Sequence, residues 1–264
     1  MSDEYIRAEI TAADRQLVDA FMRRLRAIRA LQEARGASDN EITANLAGDA
    51  ANIRRFIDAS PDDIPPDAIA RFCRAFIGEC VTYQGVRTVT FAQGDEQRMV
   101  NAARGYFGYG VTLEHAVDWR TALEMVIERD GLVACLPWPE TPGAGQWWPA
   151  LIEDRFSDLR ILAGWPNLPG DDVELEAALV ARRKLEPSGA DDTILICHDD
   201  MHDAERLMRN MEFTGSVTAR VRSLALIRIS GFVEENDPRL AELRTNGLDG
   251  LRVIGILSHA TSGT

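Results

Sequence analysis

Residues 6 to 35 read IRAEITAADRQLVDAFMRRLRAIRALQEAR, an amphipathic stretch that contains neither glycine nor proline. Its apolar side chains recur three or four residues apart, at Ile6, Ile10, Ala13, Leu17, Phe21, Leu25 and Ile28. This spacing predicts one helix, which would be about 45 Å long. The few residues that precede this helix cannot cover its apolar stripe, so we expect a partner chain to do so.

Arginines on the same stretch are placed as a small dianion would require. Arg24 and Arg35 are eleven residues apart, so at ~100° per residue they lie nearly on one face of the helix. Arg7 lies away from that face, as expected of a residue that serves a different pocket. A guanidinium group binds a carboxylate through two parallel hydrogen bonds. The stretch therefore predicts a binding site for a doubly charged anion.

Composition and charge argue against several classes of protein. Of 264 residues, 29 are basic and 42 are acidic, and the formal net charge of -13 argues against nucleic acid as a partner. The opening MSDEYIRAEI lacks the apolar core of a signal peptide, and no apolar run approaches the ~20 residues of a membrane span. The four cysteines show no CxxC spacing, so neither a disulfide framework nor a zinc site is indicated. We expect a reduced, soluble, cytoplasmic protein.

The period of the apolar residues changes along the chain, which predicts a multidomain protein with an all-α part and an α/β part. Residues 1–85 contain three predicted helices, at 6–35, 47–59 and 67–84. Residues 86–175 contain predicted strands at 86–92, 132–136 and 159–162 and predicted helices at 97–107 and 119–129. An acidic linker, 170–174, leads into the last part, 176–264. From Thr193 the order is βαββαβ, that of ferredoxin-like and ACT regulatory domains.

Two stretches near the start of the chain follow the pattern of one family. Helix one opens IRAEITAAD (6–14), has Arg24 near its middle and ends with Arg35, where the family has a lysine. Helix three, IARFCRAFIGECVTYQ, aligns without a gap and places Cys80 at the family's serine and Gln84 at its active-site glutamine. On these residues the helical part resembles the all-helical (AroQ-type) chorismate mutases.

This resemblance implies an enzyme that rearranges chorismate to prephenate in phenylalanine and tyrosine biosynthesis. The reaction is a concerted shift without metal, cofactor or covalent intermediate, so the enzyme must hold the reactive conformer and stabilise charge on the breaking ether oxygen. The resemblance implies a homodimer in which Arg7 comes from the other subunit and binds one carboxylate of chorismate, while Arg24 binds the second. Arg35 and Gln84 would address the ether oxygen.

The chain departs from the family in helix two. Aligned on IRRFI (53–57), the family's arginine-glutamate pair falls on Gly48 and Asp49. Asp49 is one methylene shorter than the glutamate that would hold the substrate hydroxyl, and Gly48 has no side chain. Gly48, Asp49 and Cys80 are the substrate-binding positions that the resemblance implies. An alternative stays open: a weakened or inactive homologue that binds an aromatic metabolite or another protein and acts in regulation.

The rest of the chain resembles prephenate dehydratases and the ACT domains that follow them. Residues 91–108 match the opening of the dehydratases, but the glycine-proline-x-glycine-threonine signature is absent. Residues 231–240 and 252–255 match the second half of the ACT domain without its effector-binding motifs. The resemblance implies a portion that has lost dehydratase activity. The run HDDMH (198–202) would suit a metal ion, but we interpret it as a solvated turn and helix cap.

Overall fold

The computed structural model describes residues 2–38, 41–92, 94, 96–139, 146–166 and 174–259. Its α-helices are α1 (Asp3–Arg35), α2 (Leu46–Asp58), α3 (Pro66–Val81), α4 (Glu96–Phe107), α5 (Trp119–Glu128), α6 (Ala204–Asn210) and α7 (Pro238–Thr245). Its strands are β1 (Thr88–Ala92), β2 (Thr112–Ala116), β3 (Leu132–Pro137), β4 (Leu159–Trp165), β5 (Ala177–Arg182), β6 (Asp191–His198), β7 (Gly215–Val221), β8 (Leu224–Ser230) and β9 (Arg252–Ser258). The prediction of an N-terminal three-helix part followed by an α/β region is confirmed.

Helix α1 projects from the rest of the chain. Its first turn is capped by Ser2, whose hydroxyl oxygen accepts a hydrogen bond from the backbone N–H of Tyr5 at 3.3 Å. Residues 2–19 are all exposed, whereas Phe21 meets Phe76 of α3 with ring centroids 5.6 Å apart. Within the described residues, neither α1 nor any other helix is long and apolar enough to cross a bilayer. Because residues 2–19 are exposed, the apolar side chains in the first half of α1 are not covered by the rest of the chain.

Helices α2 and α3 share a hydrophobic core with the sheet. Ile53 of α2 and Ile77 of α3, each 1% exposed, belong to the same buried cluster as Val89 of β1. Helix α3 approaches α4 closely at Gly78, where a Cβ atom would lie 2.8 Å from the backbone oxygen of Tyr106. Each fully buried aliphatic side chain contributes about 1.5–3 kcal/mol. Helices α2 and α3 are thus stabilised by packing against the α/β region.

A buried arginine adds a polar connection between α2 and the C-terminal part. The guanidinium group of Arg54 donates hydrogen bonds to the backbone carbonyls of Ser188 and His259, and to the Ser188 Oγ atom at 3.2 Å. Hydrogen bonds that involve a charged group each contribute about 1.5–3 kcal/mol. Arg54 therefore fixes the helical segment to residues that follow it by more than a hundred positions.

All nine strands form one sheet, in the order β2-β1-β3-β5-β4-β9-β6-β8-β7. Strand β1 is parallel to β2 and β3, β5 is antiparallel to β3 and β4, and β9 is parallel to β4. The remaining pairs, β9 with β6, β6 with β8 and β8 with β7, are antiparallel. Strands from residues 86–175 and from residues 176–264 belong to this one sheet. The division of the α/β region at residue 175 therefore stays a proposal. Of the predicted acidic linker, only Glu174 lies within the described residues.

The last four strands with α6 and α7 have the predicted βαββαβ order, and their strand order β9-β6-β8-β7 is that of a ferredoxin-like unit. Likeness to ACT domains in particular stays a prediction. The sequence patterns do not predict β2 and β5. Strand β5, AALVAR, is rich in alanine, which favours helices. It is extended here because it fills the place between β3 and β4, where most of its residues are buried.

Candidate functional site

Arg24 lies where helices α1, α2 and α3 meet. Its Nη2 atom is 3.4 Å from the Oδ1 atom of Asp49, in the first turn of α2. Its guanidinium carbon lies 5.5 Å from the centroid of the Phe76 ring on α3, within the range of a cation–π interaction. The Arg24 side chain is 26% exposed and that of Asp49 is 6% exposed. The fold thus brings two predicted site residues into contact at the edge of the helical part.

The carboxyl group of Asp49 is buried next to positive charge. Burial raises its pKa, while the guanidinium groups of Arg74 and Arg24 oppose that shift. The Oδ2 atom has no hydrogen-bond partner among the described residues. Asp49 therefore keeps one buried carboxyl oxygen without a hydrogen-bond donor, near the guanidinium group of Arg24.

Cys80 and Gln84 follow one another on one side of α3 and the 3-10 turn after it. Cys80 is buried, and its thiol donates a hydrogen bond to the backbone oxygen of Phe76 at 3.3 Å. Burial raises its pKa although Arg24 lies near, so the group is a neutral packed thiol rather than a nucleophile. The side-chain oxygen of Gln84 is buried and makes no hydrogen bond to the described part of the chain, which leaves one acceptor atom there without a donor.

Gly48 contributes backbone only. Its N–H group donates to the side-chain oxygen of Asn45 at 2.7 Å, which caps the start of α2. A Cβ atom at this position would lie 2.9 Å from the Asn45 side chain. Glycine therefore suits the cap, and the guanidinium group that the family carries at this position is missing.

Two predicted site residues lie apart from the others in the single chain. Arg7 is 77% exposed on its side chain, and its Nε atom pairs with Asp3 at 3.0 Å. It precedes Arg24 by seventeen residues of helix, or about 25 Å along the axis. Arg35 is exposed in the last turn of α1. Nothing within one chain brings Arg7 to Arg24.

Residues 6–85, which carry all of these side chains, match the family model of chorismate mutase type II. This part of the chain is a chorismate mutase type II domain. The predicted family is confirmed for it. The roles of Arg7, Arg24, Arg35, Gly48, Asp49, Cys80 and Gln84 within that domain stay predictions.

Three solved structures that resemble the chain each cover about two thirds of it. A protein described as GqqA, a novel type of quorum quenching acylase, has 13% identity, covers 65% of this chain and 95% of its own, and gives a TM-score of 0.46. Prephenate dehydratase from Streptococcus mutans has 9% identity over 66% and 98%, with a TM-score of 0.44. Prephenate dehydratase in complex with L-Phe from Arthrobacter aurescens has 16% identity over 66% and 90%, with a TM-score of 0.42. Curated proteins give no match. Likeness at this level says nothing of activity.

Arg74 is a buried residue near Arg24 and Asp49 that sequence reasoning missed. It is 2% exposed, and its guanidinium carbon lies 4.2 Å from the centroid of the Tyr106 ring. Its three side-chain nitrogens are buried and make no hydrogen bond of acceptable geometry within the described ranges. The signal was present, because Ala70, Arg74, Ile77 and Val81 follow helical spacing and place a charge in an apolar stripe. A buried cation thus stands behind Asp49.

The run HDDMH does contain a helix cap, and the residue that forms it is buried. Asp199 is 1% exposed, and its Oδ1 atom accepts hydrogen bonds from the backbone N–H groups of Asp203 and Ala204 at the start of α6. Its Oδ2 atom lies 2.7 Å from Arg220. The helix-cap interpretation is confirmed, and the expectation of a solvated turn is wrong for Asp199, because the arginine compensates its burial. No group of side chains in the described residues would hold a metal ion.

Proposed function

We propose that this chain is a chorismate mutase that acts as a homodimer in the cytoplasm, in phenylalanine and tyrosine biosynthesis. The observation that supports it is the separation of the arginines. Arg24 is held half-buried beside Asp49 and Cys80, whereas Arg7 lies about 25 Å away on a helix without cover. A second chain would supply the missing arginine and the missing cover together.

The uncovered apolar side chains of α1 support the dimer. These exposed residues are Tyr5, Ile6, Ile10, Leu17, Val18, Met22 and Leu31. An antiparallel pair of α1 helices that sets Arg7 of the partner subunit beside Arg24 also sets Ile6 against the partner's Leu25 and Ile10 against the partner's Phe21. A two-fold axis makes every such contact occur twice. One alignment therefore completes the site and covers the stripe.

The side chains then meet the needs of a pericyclic reaction. Chorismate carries two carboxylates, which Arg24 and Arg7 of the partner subunit would bind bidentately. Gln84, whose side-chain oxygen makes no hydrogen bond to the described residues, would donate its amide nitrogen to the ether oxygen, and Arg35 would reach the same oxygen from the end of α1. Asp49 would accept the substrate hydroxyl on its free Oδ2 atom. Charge stabilisation and a fixed conformer supply the rate enhancement, without a covalent step.

Subunit mixing tests the shared site. Arg7→Ala and Arg24→Ala proteins should each fold, dimerise and lose prephenate formation, because each dimer lacks one arginine in both sites. When they are mixed and allowed to exchange, half of the dimers carry both variants and each has one intact site, so activity should return to about one quarter of wild type. Arg23→Ala, at an exposed neighbouring position, is the matched control and should stay active. If exchanged dimers remain inactive, the two arginines do not share a site.

A second function is favoured by one contact, the ion pair between Arg24 and Asp49. It occupies the guanidinium group that a substrate carboxylate needs, and Gly48 supplies no replacement cation. Such a domain would bind an aromatic metabolite or a partner protein and act in regulation. An absorbance assay for prephenate formation separates the two functions. If the folded dimer does not accelerate the reaction of chorismate, the second function is supported. If it does, and Arg24→Ala abolishes the acceleration, the first is supported.

A further inference from the structure

A cavity of about 330 Å³ lies between α3, α4 and the end of β4, where the mutase domain meets the α/β region. We name it the junction cavity. The residues that matter for its chemistry are Arg71, Arg74, Ala75, Glu79, Arg104, Tyr109 and Trp165, and the three arginines outnumber the one carboxylate. Its volume is at the lower end of the range for small-molecule sites, about 300–1,000 Å³. None of these residues belongs to the proposed chorismate site.

The walls of the junction cavity suit a flat apolar group. The Trp165 indole lies against Gly105, where a Cβ atom would come within 2.2 Å of the indole carbon Cζ2. The same indole meets the Tyr106 ring edge to face, with centroids 6.3 Å apart. The Tyr109 ring, 82% exposed, stands at the rim. A ring of six carbon atoms would find aromatic surface on more than one side.

The arginines that line the junction cavity differ in how well other residues of the chain satisfy their hydrogen-bond donors. Arg71 pairs with Asp67, and Arg104 donates to the backbone carbonyls of Tyr109 and Val111, at 3.0 Å each. Arg74 lines the cavity as well. The carboxyl group of Asp49 and the ring of Tyr106 lie near its charge, but none of its nitrogens makes a well-formed hydrogen bond to a described residue. A buried charge without hydrogen bonds is costly. Asp49 offsets part of that cost, and an anion in the cavity would supply the hydrogen bonds that the nitrogens of Arg74 lack.

We propose that the junction cavity binds a small carboxylate with a flat, ring-shaped apolar body, its carboxylate at Arg74 and its ring against Trp165. Arg74 lies between this cavity and Asp49, but binding here takes no part in chorismate rearrangement and does not depend on it. An arene carboxylate fits because it joins one charge to one flat ring. A neutral molecule of the same shape would gain the aromatic contacts and leave Arg74 without a charged acceptor.

Calorimetry on the full chain tests this proposal with two probes of equal ring size, sodium benzoate and benzyl alcohol. Benzoate should bind, and benzyl alcohol should bind at least about tenfold more weakly, because only the carboxylate offers a guanidinium group a charged acceptor with two oxygens. Arg74→Gln should weaken benzoate by a similar factor and leave benzyl alcohol nearly unchanged. If Arg74→Gln fails to fold, the outcome rests on a second variant at an exposed position.

Ala75 provides that variant. It is exposed on α3 and lines the junction cavity, so Ala75→Phe should fill the space without disturbing the core. Benzoate binding should then be lost, while Ala241→Phe, at an exposed position of α7, should bind benzoate like wild type. Absence of benzoate binding to wild type up to about 10 mM, equal binding of the two probes, or binding that survives Ala75→Phe would each overturn the proposal. So would a loss of binding that Ala241→Phe shares.

Discussion

Ile10→Ala should weaken the proposed dimer strongly while leaving the single chain intact. Ile10 is 58% exposed on α1, in a stretch of exposed residues, so its own chain gives it little support. The substitution removes three carbon groups, each worth about 0.8 kcal/mol on full burial. For the exposed share this is about 1.4 kcal/mol per chain, and the two-fold axis doubles it to about 3 kcal/mol. The dimer dissociation constant should rise on the order of 100-fold.

Sedimentation velocity over a dilution series measures that constant directly. Asp19→Ala is the matched control, because Asp19 is also exposed on α1 but lies half a turn around the helix from Ile10. It should leave the dissociation constant within a few-fold of wild type, and both variants should keep the wild-type circular dichroism spectrum. An unchanged constant for Ile10→Ala, or equal weakening by Asp19→Ala, would show that the stripe is not the interface.

Three further substitutions test the interior. Asp49→Asn should be more stable than wild type at pH 7 in urea unfolding. The raised pKa of Asp49 means that the folded state favours the neutral carboxyl group, so wild type loses stability as the pH rises through the folded pKa. The difference in unfolding free energy between the variant and wild type should therefore shrink towards about pH 4. An Asn variant that is less stable than wild type at pH 7 would contradict this reasoning. Arg54→Ala should lower the free energy of unfolding by about 2–4 kcal/mol, measured by urea titration, since two carbonyls lose a charged donor; a loss below about 1 kcal/mol would mean that water replaces it. Gly85→Ala should lower the free energy of unfolding by about 2–4 kcal/mol, because φ is 92° and the Cβ atom would lie 1.9 Å from the backbone oxygen of Glu41. Gly36→Ala, where nothing lies near the added Cβ atom, should lower it clearly less in thermal unfolding. Equal losses for the two variants would contradict the role of the clash.

The helices could be predicted from sequence because their signals are local. The apolar spacing of 6–35 and a capping serine are enough for α1, which begins at Asp3 rather than Ile6. Helix α3 ends at Val81 and continues as a 3-10 turn to Gln84, a change that periodicity does not resolve. Strand β5 and the joining of all strands into one sheet depend on pairings between distant residues, such as Ile161 with Gly255, which no local pattern contains.

The candidate site was predictable where the family pattern carries a residue and not where tertiary packing does. Arg24 and Asp49 were proposed from aligned positions and are in contact. Arg74 was missed because a charge on a helix is most often solvated, and its burial depends on Tyr106, from another element. The partner for Arg7 depends on a second chain, so neither the sequence nor a single fold supplies it.

The common interior of α2, α3 and β1 bears on protein engineering. A gene fragment that ends after residue 85 would encode every side chain that the family model matches, yet its product would show bare isoleucine and valine surface to water. Such a fragment should aggregate or bind other proteins through this apolar surface. Transplanting this activity into another host protein would therefore require the strand and helix that follow it, together with an acceptor for Arg54.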